Sequence, residues 1–279
     1  MIKRRVGLTV GQLLLIGWTA LTLLPFLFIL LFSFRDNAGL YNYPLGIGGT
    51  YHPENYVTAI EGPGDGTGML AFFANTATAA VVALAVTLTL GSMAAFFATK
   101  LSQRARTWFL SVFLAAQVIP FVLILVTYFQ VANTLSLLNQ PGVLGVCYGV
   151  LSMPTTVLVL NSYFKDFPQE LIEAATVDGL GEFSAYLRIV LPLSKGALTA
   201  VGMLTLVYVW GEAQLGIVML QTSASQTVSI GMLGFQGEFT SDLGPLFAGL
   251  SLATLPVIVL YLIFNSHVTK GIALGGVFR

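Results

Sequence analysis

Charge is scarce in this chain. Asp, Glu, Lys and Arg make up only 9% of its 279 residues, against roughly 25% in soluble domains, and there are just two histidines and one cysteine. Cys147 alone can close no intrachain disulfide and offers no cysteine pair to a metal. His52 and His267 stand far apart, which argues against a ligand set or a nucleophilic triad and for two surface histidines. The formal net charge is zero and the cations simply flank the apolar runs, so nothing points to nucleic acid. A phosphate-cradling G-x-x-x-x-G-K-[ST] loop is missing, and the dipeptide Gly-Lys does not occur. The sequence therefore predicts no catalytic residues, no metal site and no cofactor held by this chain.

Apolar length takes the place of charge. Hydrophobic residues make up 56% of the chain and the mean hydropathy is +0.86. Six apolar runs stand out, Val10–Phe34, Ala71–Ala98, Trp108–Phe129, Leu144–Tyr163, Gly196–Leu220 and Leu246–Phe264, each near the roughly twenty residues that cross a bilayer as a helix. The short alternating strands of a barrel are not seen. The expected fold is all-α, with six transmembrane helices in a single domain over 1–279 and its core over 68–270. The first run is too long for a signal-peptide h-region, so it reads as an uncleaved anchor. Pro25, Pro120 and Pro256 interrupt runs one, three and six and predict kinks there. Gly145 and Gly149, four apart, suit close helix packing.

Cations fix the expected orientation, because Lys and Arg are retained on the cytoplasmic side. Lys3, Arg4 and Arg5, then Lys100, Arg104 and Arg106, then Lys165, Arg188 and Lys195, then Lys270 and Arg279 all fall on one side of the six runs. Arg35 is alone on the other, among Asp36, Glu54, Glu61, Asp65, Glu238 and Asp242. Both termini are thus expected in the cytoplasm. An outer segment from about Arg35 to Gly68 predicts a loop with one short helix around Glu54–Ile60, a short turn is expected near Asn139–Gly142, and Gln221–Gly244 predicts a longer outer loop.

The polar island between runs four and five carries the densest signals. Asp166 can cap a helix, Pro168 suits its first turn, and Gln169 and Glu170 favour its N-terminal end. A helix is expected from near Phe167, with Leu171, Ala174 and Ala175 as a small-residue face and Gly179 as its left-handed stop. Phe183, Tyr186, Leu187 and Val190 predict one apolar face on a second helix, which Pro192 ends. By pattern alone this hairpin is equally well a connector lying flat at the membrane surface.

Glu173-Ala174-Ala175-x-x-Asp178-Gly179, nine intervening residues, then Ile189-x-Leu191-Pro192 resembles the signature loop of permease subunits of binding-protein-dependent ABC importers. The resemblance covers nearly the whole chain and is closest to carbohydrate importers of the maltose type. Pro53-Glu54-Asn55-Tyr56, Asn75-Thr76, the stretch Thr227–Gly237 followed by Asp242-Leu243-Gly244, and the glycine-containing tail Gly271–Val277 are similar to that family too. Two places depart from it: Trp210-Gly211-Glu212 stands where Trp-Asn-Asp/Glu is usual, and Phe278-Arg279 where Lys-Gly is.

The resemblance implies a type I ABC importer permease that moves a sugar, a di- or oligosaccharide, across a bacterial or archaeal cytoplasmic membrane by alternating access. It implies that the loop 166–192, through Glu173, Ala174, Ala175, Asp178, Gly179, Leu191 and Pro192, couples to an ATPase. It also implies partners: a second related permease, two copies of a cytoplasmic ABC ATPase holding ATP and Mg, and an extracytoplasmic sugar-binding protein, besides membrane lipid. A self-contained secondary carrier, a membrane scaffold, or a permease for another polar solute such as a glycerol phosphate stay open as alternatives.

Glu212 is the one ionisable residue well inside an apolar run, where an acid costs on the order of 2.5–3.5 kcal/mol on insertion scales. With Trp210 and Gln214 beside it, and with Gln117 and Asn75 as weaker candidates, it is read as a substrate-pathway group or else as polar glue between helices.

Overall fold

The structure is a computed structural model that describes residues 2–43, 45, 47–63, 67–236 and 242–277. It is built of helices, as the apolar runs predict. Four helices are long and apolar enough to cross a membrane, Gly11–Phe32, Met69–Ala98, Pro141–Lys165 and Leu243–Phe264, and two bent pairs bring the number to as many as six. Two compact units can be distinguished, one of Met1–Leu70 with Gly231–Pro256 and one of Ala71–Ile230 with Val257–Arg279. Gly237 and its neighbours to 241, like Asp65, Phe278 and Arg279, lie outside the described residues.

The first unit is held together by the short motif around Asn55. The predicted helix is there, over Asn55–Glu61. The buried Asn55 amide donates to the carbonyls of Ser33 and Arg35, at 2.9 Å each, satisfying backbone at the end of the Ile2–Phe32 helix. Tyr56 Oη meets Ser33 Oγ at 2.8 Å and Ser251 Oγ at 3.1 Å. A Cβ on Gly244 would come within 2.2 Å of the Arg35 carbonyl, so only glycine fits where the last helix begins. Arg35 is fully buried, donates to the Thr50 carbonyl at 2.8 Å and lies 4.3 Å from the centre of the Tyr51 ring. His52 pairs with Glu54 at 2.7 Å.

The second unit packs around Pro141–Lys165. Its predicted glycine pair does what small residues do between membrane helices: a Cβ on Gly145 would fall 2.5 Å from the Ala79 carbonyl, and one on Gly149 would fall 2.7 Å from Val86 Cβ. The Met69–Val86 helix therefore lies almost in backbone contact with it. Thr87 Oγ1 adds a buried bond to the Gly149 carbonyl at 3.0 Å, and Asn161 donates to the Ala95 carbonyl at 3.0 Å.

Two apolar runs are not the single helices expected. Run three breaks into Gln103–Val118 and Phe121–Thr134, bent by 92°. Ile119, just before Pro120, takes an extended backbone with ψ 121°, the conformation that a following proline ring favours. Pro25 and Pro256, by contrast, sit inside continuous helices, as does Pro154. Run five ends early. Its helix is Lys195–Gly211, about 25 Å long, and a short helix Gln214–Met219 follows after a break at Glu212 and Ala213.

Of the predicted loop of 221–244, residues 221–228 are held by side chains of the second unit. Asn139, at a positive φ of 60°, accepts from the backbone N–H groups of Gln221 and Thr222 at 2.6 and 3.0 Å. Asn75 donates to the carbonyls of Ala224 and Gln226 at 2.8 and 3.0 Å, and Thr76 Oγ1 accepts from the Val228 N–H at 2.9 Å. The Asn75-Thr76 pair thus ties this loop to the Met69–Val86 helix.

Candidate functional site

Two features carry functional potential: the hairpin of 166–192 and a groove in the same unit lined by both apolar and polar side chains.

The hairpin begins where Pro141–Lys165 ends. Asp166 closes that helix, contrary to the expectation that it caps the next one, and Pro168 occupies the cap position because its ring fixes φ while ψ stays extended at 113°. The first arm is Gln169–Val177. Its end is a Schellman stop: Gly179 N–H bonds the Thr176 carbonyl at 3.0 Å, Leu180 N–H bonds the Ala175 carbonyl at 2.9 Å, and Gly179 has a φ of +80°. A Cβ there would touch nothing within 4 Å, so the demand for glycine comes from backbone conformation alone.

The second arm runs over Glu182–Ala185, a π-helical turn Tyr186–Val190, and Leu191–Leu193, then bends by 79° into Lys195–Gly211. Its expected single apolar face is divided. Tyr186 and Val190 are buried, whereas Phe183 and Leu187 are exposed. The small-residue face of the first arm splits in the same way: Ala175 and Ile172 point inward, while Leu171 and Ala174 point out.

What lies beneath is a core of Phe96, Leu160, Phe164, Phe167, Tyr186 and Val190. Tyr186 is 1% exposed; its ring stacks on Phe96 at 5.1 Å and its hydroxyl meets Ser92 Oγ at 2.6 Å. Ser92 follows directly on a second π turn, Thr87–Gly91. Lys100 and Glu182 add a surface contact at 4.0 Å, of the kind worth at most about 1 kcal/mol. The outward side presents Leu171, Glu173, Ala174, Val177 and Asp178 together, with Val177 88% exposed. Leu191 is half-buried and Pro192 exposed. The hairpin is thus firmly seated below and open above.

The groove has a volume of about 890 Å³. Ser152, Thr155 and Thr156 line it from Pro141–Lys165; Thr205 and Tyr208 line it from Lys195–Gly211, and Glu212 and Gln214 from the break that follows. Glu212 is at the break, not inside a helix, and that answers its cost. Its carboxyl accepts from the Leu215 N–H at 2.9 Å and the Gly216 N–H at 3.4 Å, capping the first turn of Gln214–Met219, and it also accepts the Tyr148 hydroxyl. Ser229 Oγ donates to its backbone carbonyl at 2.8 Å.

The five pathway candidates are not brought together. Glu212 and Gln214 share the groove of mixed lining, but Trp210 lines a separate apolar groove of about 580 Å³ with Leu84, Gly202 and Phe264, and its ring centre lies 6.0 Å from that of Phe73. Asn75 is engaged with the 224–226 backbone, and Gln117 is exposed on Gln103–Val118, lining neither groove. The hydroxyl residues were absent from the sequence-based candidates although their signal was present. Ser152, Thr155 and Thr156 stand at i, i+3 and i+4, and Thr205, Tyr208 and Glu212 at i, i+3 and i+7, two polar stripes of helical period inside apolar runs. Among the described residues no group of three His, Cys, Asp or Glu side chains could hold a metal ion.

Residues 87–273 match the family model described as a binding-protein-dependent transport system inner membrane component. The sulfoquinovosyl glycerol transport system permease protein SmoH of Agrobacterium fabrum is 32% identical over 205 residues, 74% of this chain and 72% of that protein. The trehalose/maltose transport system permease protein MalG of Thermococcus litoralis is 25% identical over 278 residues, 98% of this chain and 97% of that one. In fold, the chain resembles one from the crystal structure of a bacterial ABC transporter involved in the import of the acidic polysaccharide alginate, with a TM-score of 0.76 over 94% of this chain and 96% of the other at 17% identity. With two thirds of its length inside the family model and the hairpin motif within that stretch, this chain belongs to the inner-membrane permease components of binding-protein-dependent ABC transport systems.

Proposed function

We propose that this chain is one permease subunit of an ATP-driven importer that carries a sugar, a di- or oligosaccharide, across the cytoplasmic membrane by alternating access. The names of its relatives support a sugar, since trehalose, maltose and sulfoquinovosyl glycerol all occur among them. The hairpin of 166–192 is the coupling element. Glu173, Ala174, Ala175 and Asp178 dock into a cleft of a cytoplasmic ATPase, which holds ATP and Mg; Gly179 sets the angle between the arms, and Leu191 and Pro192 pass the movement into the following helix. The supporting partners are a second, related permease, two ATPase copies and an external sugar-binding protein. Both termini lie in the cytoplasm, on the side where the cations gather.

One observation carries this reading: the hairpin is buried on its lower side around Tyr186 and exposed on its upper side around Glu173 and Val177. A connector lying in the membrane surface would have no reason to seat one side so firmly and leave a mixed apolar and acidic side open. Such a seat transmits force from a partner to the helices below.

Charge reversal in Glu173→Lys is expected to leave the protein inserted and to lower both uptake and substrate-stimulated ATP hydrolysis at least about tenfold, by setting like charge against the partner's cleft. Gly179→Leu should do the same through backbone strain of about 1–2 kcal/mol, whereas Gly179→Asn, which tolerates the left-handed region, retains most activity. Normal uptake with Glu173→Lys and Gly179→Leu refutes the coupling role.

A further inference from the structure

We infer that the apolar groove lined by Met69–Val86, Lys195–Gly211 and the end of the last helix holds one anionic phospholipid of the cytoplasmic leaflet, with its phosphate on Lys195 and an acyl chain along the groove. The orientation is the one proposed above, which places Lys195 on the cytoplasmic side.

Shape is the first argument. The groove exists because Ala77, Ala80 and Gly202 contribute little or no side chain where Leu84, Leu88 and Met203 contribute much. From Lys195 at one end to Trp210 at the other it follows the helix for about 22 Å. A volume of about 580 Å³ over that length gives a mean cross-section of about 26 Å², room for a hydrocarbon chain, whereas a helix with its side chains is about 10–12 Å across. Val81 lines the groove and is 66% exposed, so one side is open. None of its lining residues also lines the groove that holds Glu212.

The order of polarity is the second argument. Lys195 is the one charged residue in the lining; it is exposed and, among the described residues, it forms no ion pair. It also opens the 17-residue helix Lys195–Gly211, whose N-terminal end favours negative charge. Thr199 lines the groove one turn deeper, about 6 Å further in. Its Oγ1 bonds no protein group among the described residues, whereas Thr205 in the same helix returns its proton to the Val201 carbonyl at 3.1 Å. Beyond Thr199 the lining is aliphatic or aromatic. A cation at headgroup level, a free hydroxyl at the depth of the ester groups and an apolar channel beyond match a phospholipid from phosphate to chain end.

Charge selects among lipids. A zwitterionic headgroup brings its own cation to Lys195, and a headgroup with net negative charge does not. The bound phosphate would rest at the 79° bend where the second arm of the hairpin enters Lys195–Gly211.

The test is lipid binding by the full chain in complex with its partner permease and ATPase, delipidated in detergent. Phosphatidylglycerol and phosphatidylcholine with identical acyl chains are titrated in, and native mass spectrometry counts the bound lipid. One phosphatidylglycerol should bind ahead of the rest, at least about fivefold tighter than phosphatidylcholine, as one surface lysine's attraction for anionic lipid implies. Lys195→Gln should abolish that preference, and Lys165→Gln, which removes an exposed cation outside the groove, should leave it within about twofold. Thr199→Phe, which fills the channel, should weaken both lipids at least about fivefold. Equal affinity for the two lipids, an unchanged preference in Lys195→Gln, an equal loss in Lys165→Gln or unchanged binding in Thr199→Phe overturns the site. So does displacement by excess glycerol 3-phosphate, which would mark a phosphate site without a chain, and so does a Thr199→Cys chain that crosslinks to the partner permease, which would give the groove to protein. A chain that purifies with no ATPase refutes the importer reading, and the same titration of the chain alone still decides this one.

Discussion

Glu212 shows how an acid inside an apolar run is matched by its surroundings. Its carboxyl holds two backbone N–H groups of the following turn and the Tyr148 hydroxyl, so the helix break and the acid explain each other. Glu212→Ala would leave these donors unmatched in a partly buried site, and it should destabilise the folded protein by about 1–3 kcal/mol, read as a lower midpoint in detergent unfolding. Glu212→Gln, which keeps one acceptor oxygen, should recover part of that loss. Equal stability of Glu212→Ala and the unaltered protein would remove the capping role. Other single residues were legible from sequence because their constraint is local. Gly179 is required by the sign of its own φ, and Gly145 and Gly149 by spacing that suits any close helix pair. Ser152 and Tyr208 went unread because an isolated hydroxyl in an apolar run is common, and only the meeting of two stripes distinguishes them.

Among elements, hydrophobic length disclosed the helices and concealed their breaks. Pro25, Pro120, Pro154 and Pro256 look alike in sequence, and of these four only Pro120 divides its run. The second arm of the hairpin is not one regular helix either, since a π turn over Tyr186–Val190 interrupts it. That π turn meets the one at Thr87–Gly91 through the bond between Tyr186 and Ser92, and the asymmetry of this pair is testable. Ser92→Ala strands a buried phenol hydroxyl and should cost about 1–3 kcal/mol, whereas Tyr186→Phe leaves Ser92 Oγ its bond to the Leu88 carbonyl and should cost about 0.5–1.5 kcal/mol. The double variant should be no worse than Ser92→Ala alone. Additive losses in denaturant unfolding would show that the two hydroxyls act independently.

For the whole molecule, the fold and the family were both within reach of the sequence, the first from apolar runs and the second from the motif at 173–192. Sequence could not show that the hairpin is packed onto the end of the Met69–Ala98 span as well as onto the helices it joins, because Phe96 and Tyr186 are ninety residues apart and meet only in the folded core. This packing gives the coupling proposal its mechanical content, since a push on the hairpin must move three helices together. The claim is tested most directly by a cysteine at Val177, the most exposed apolar residue on the open side, in the chain co-expressed with its ATPase. Oxidative crosslinking to cysteines placed around the ATPase cleft should give one specific product whose yield changes between nucleotide-free and ATP-bound states. A Val177→Cys chain that crosslinks to no ATPase position in any nucleotide state would contradict the account.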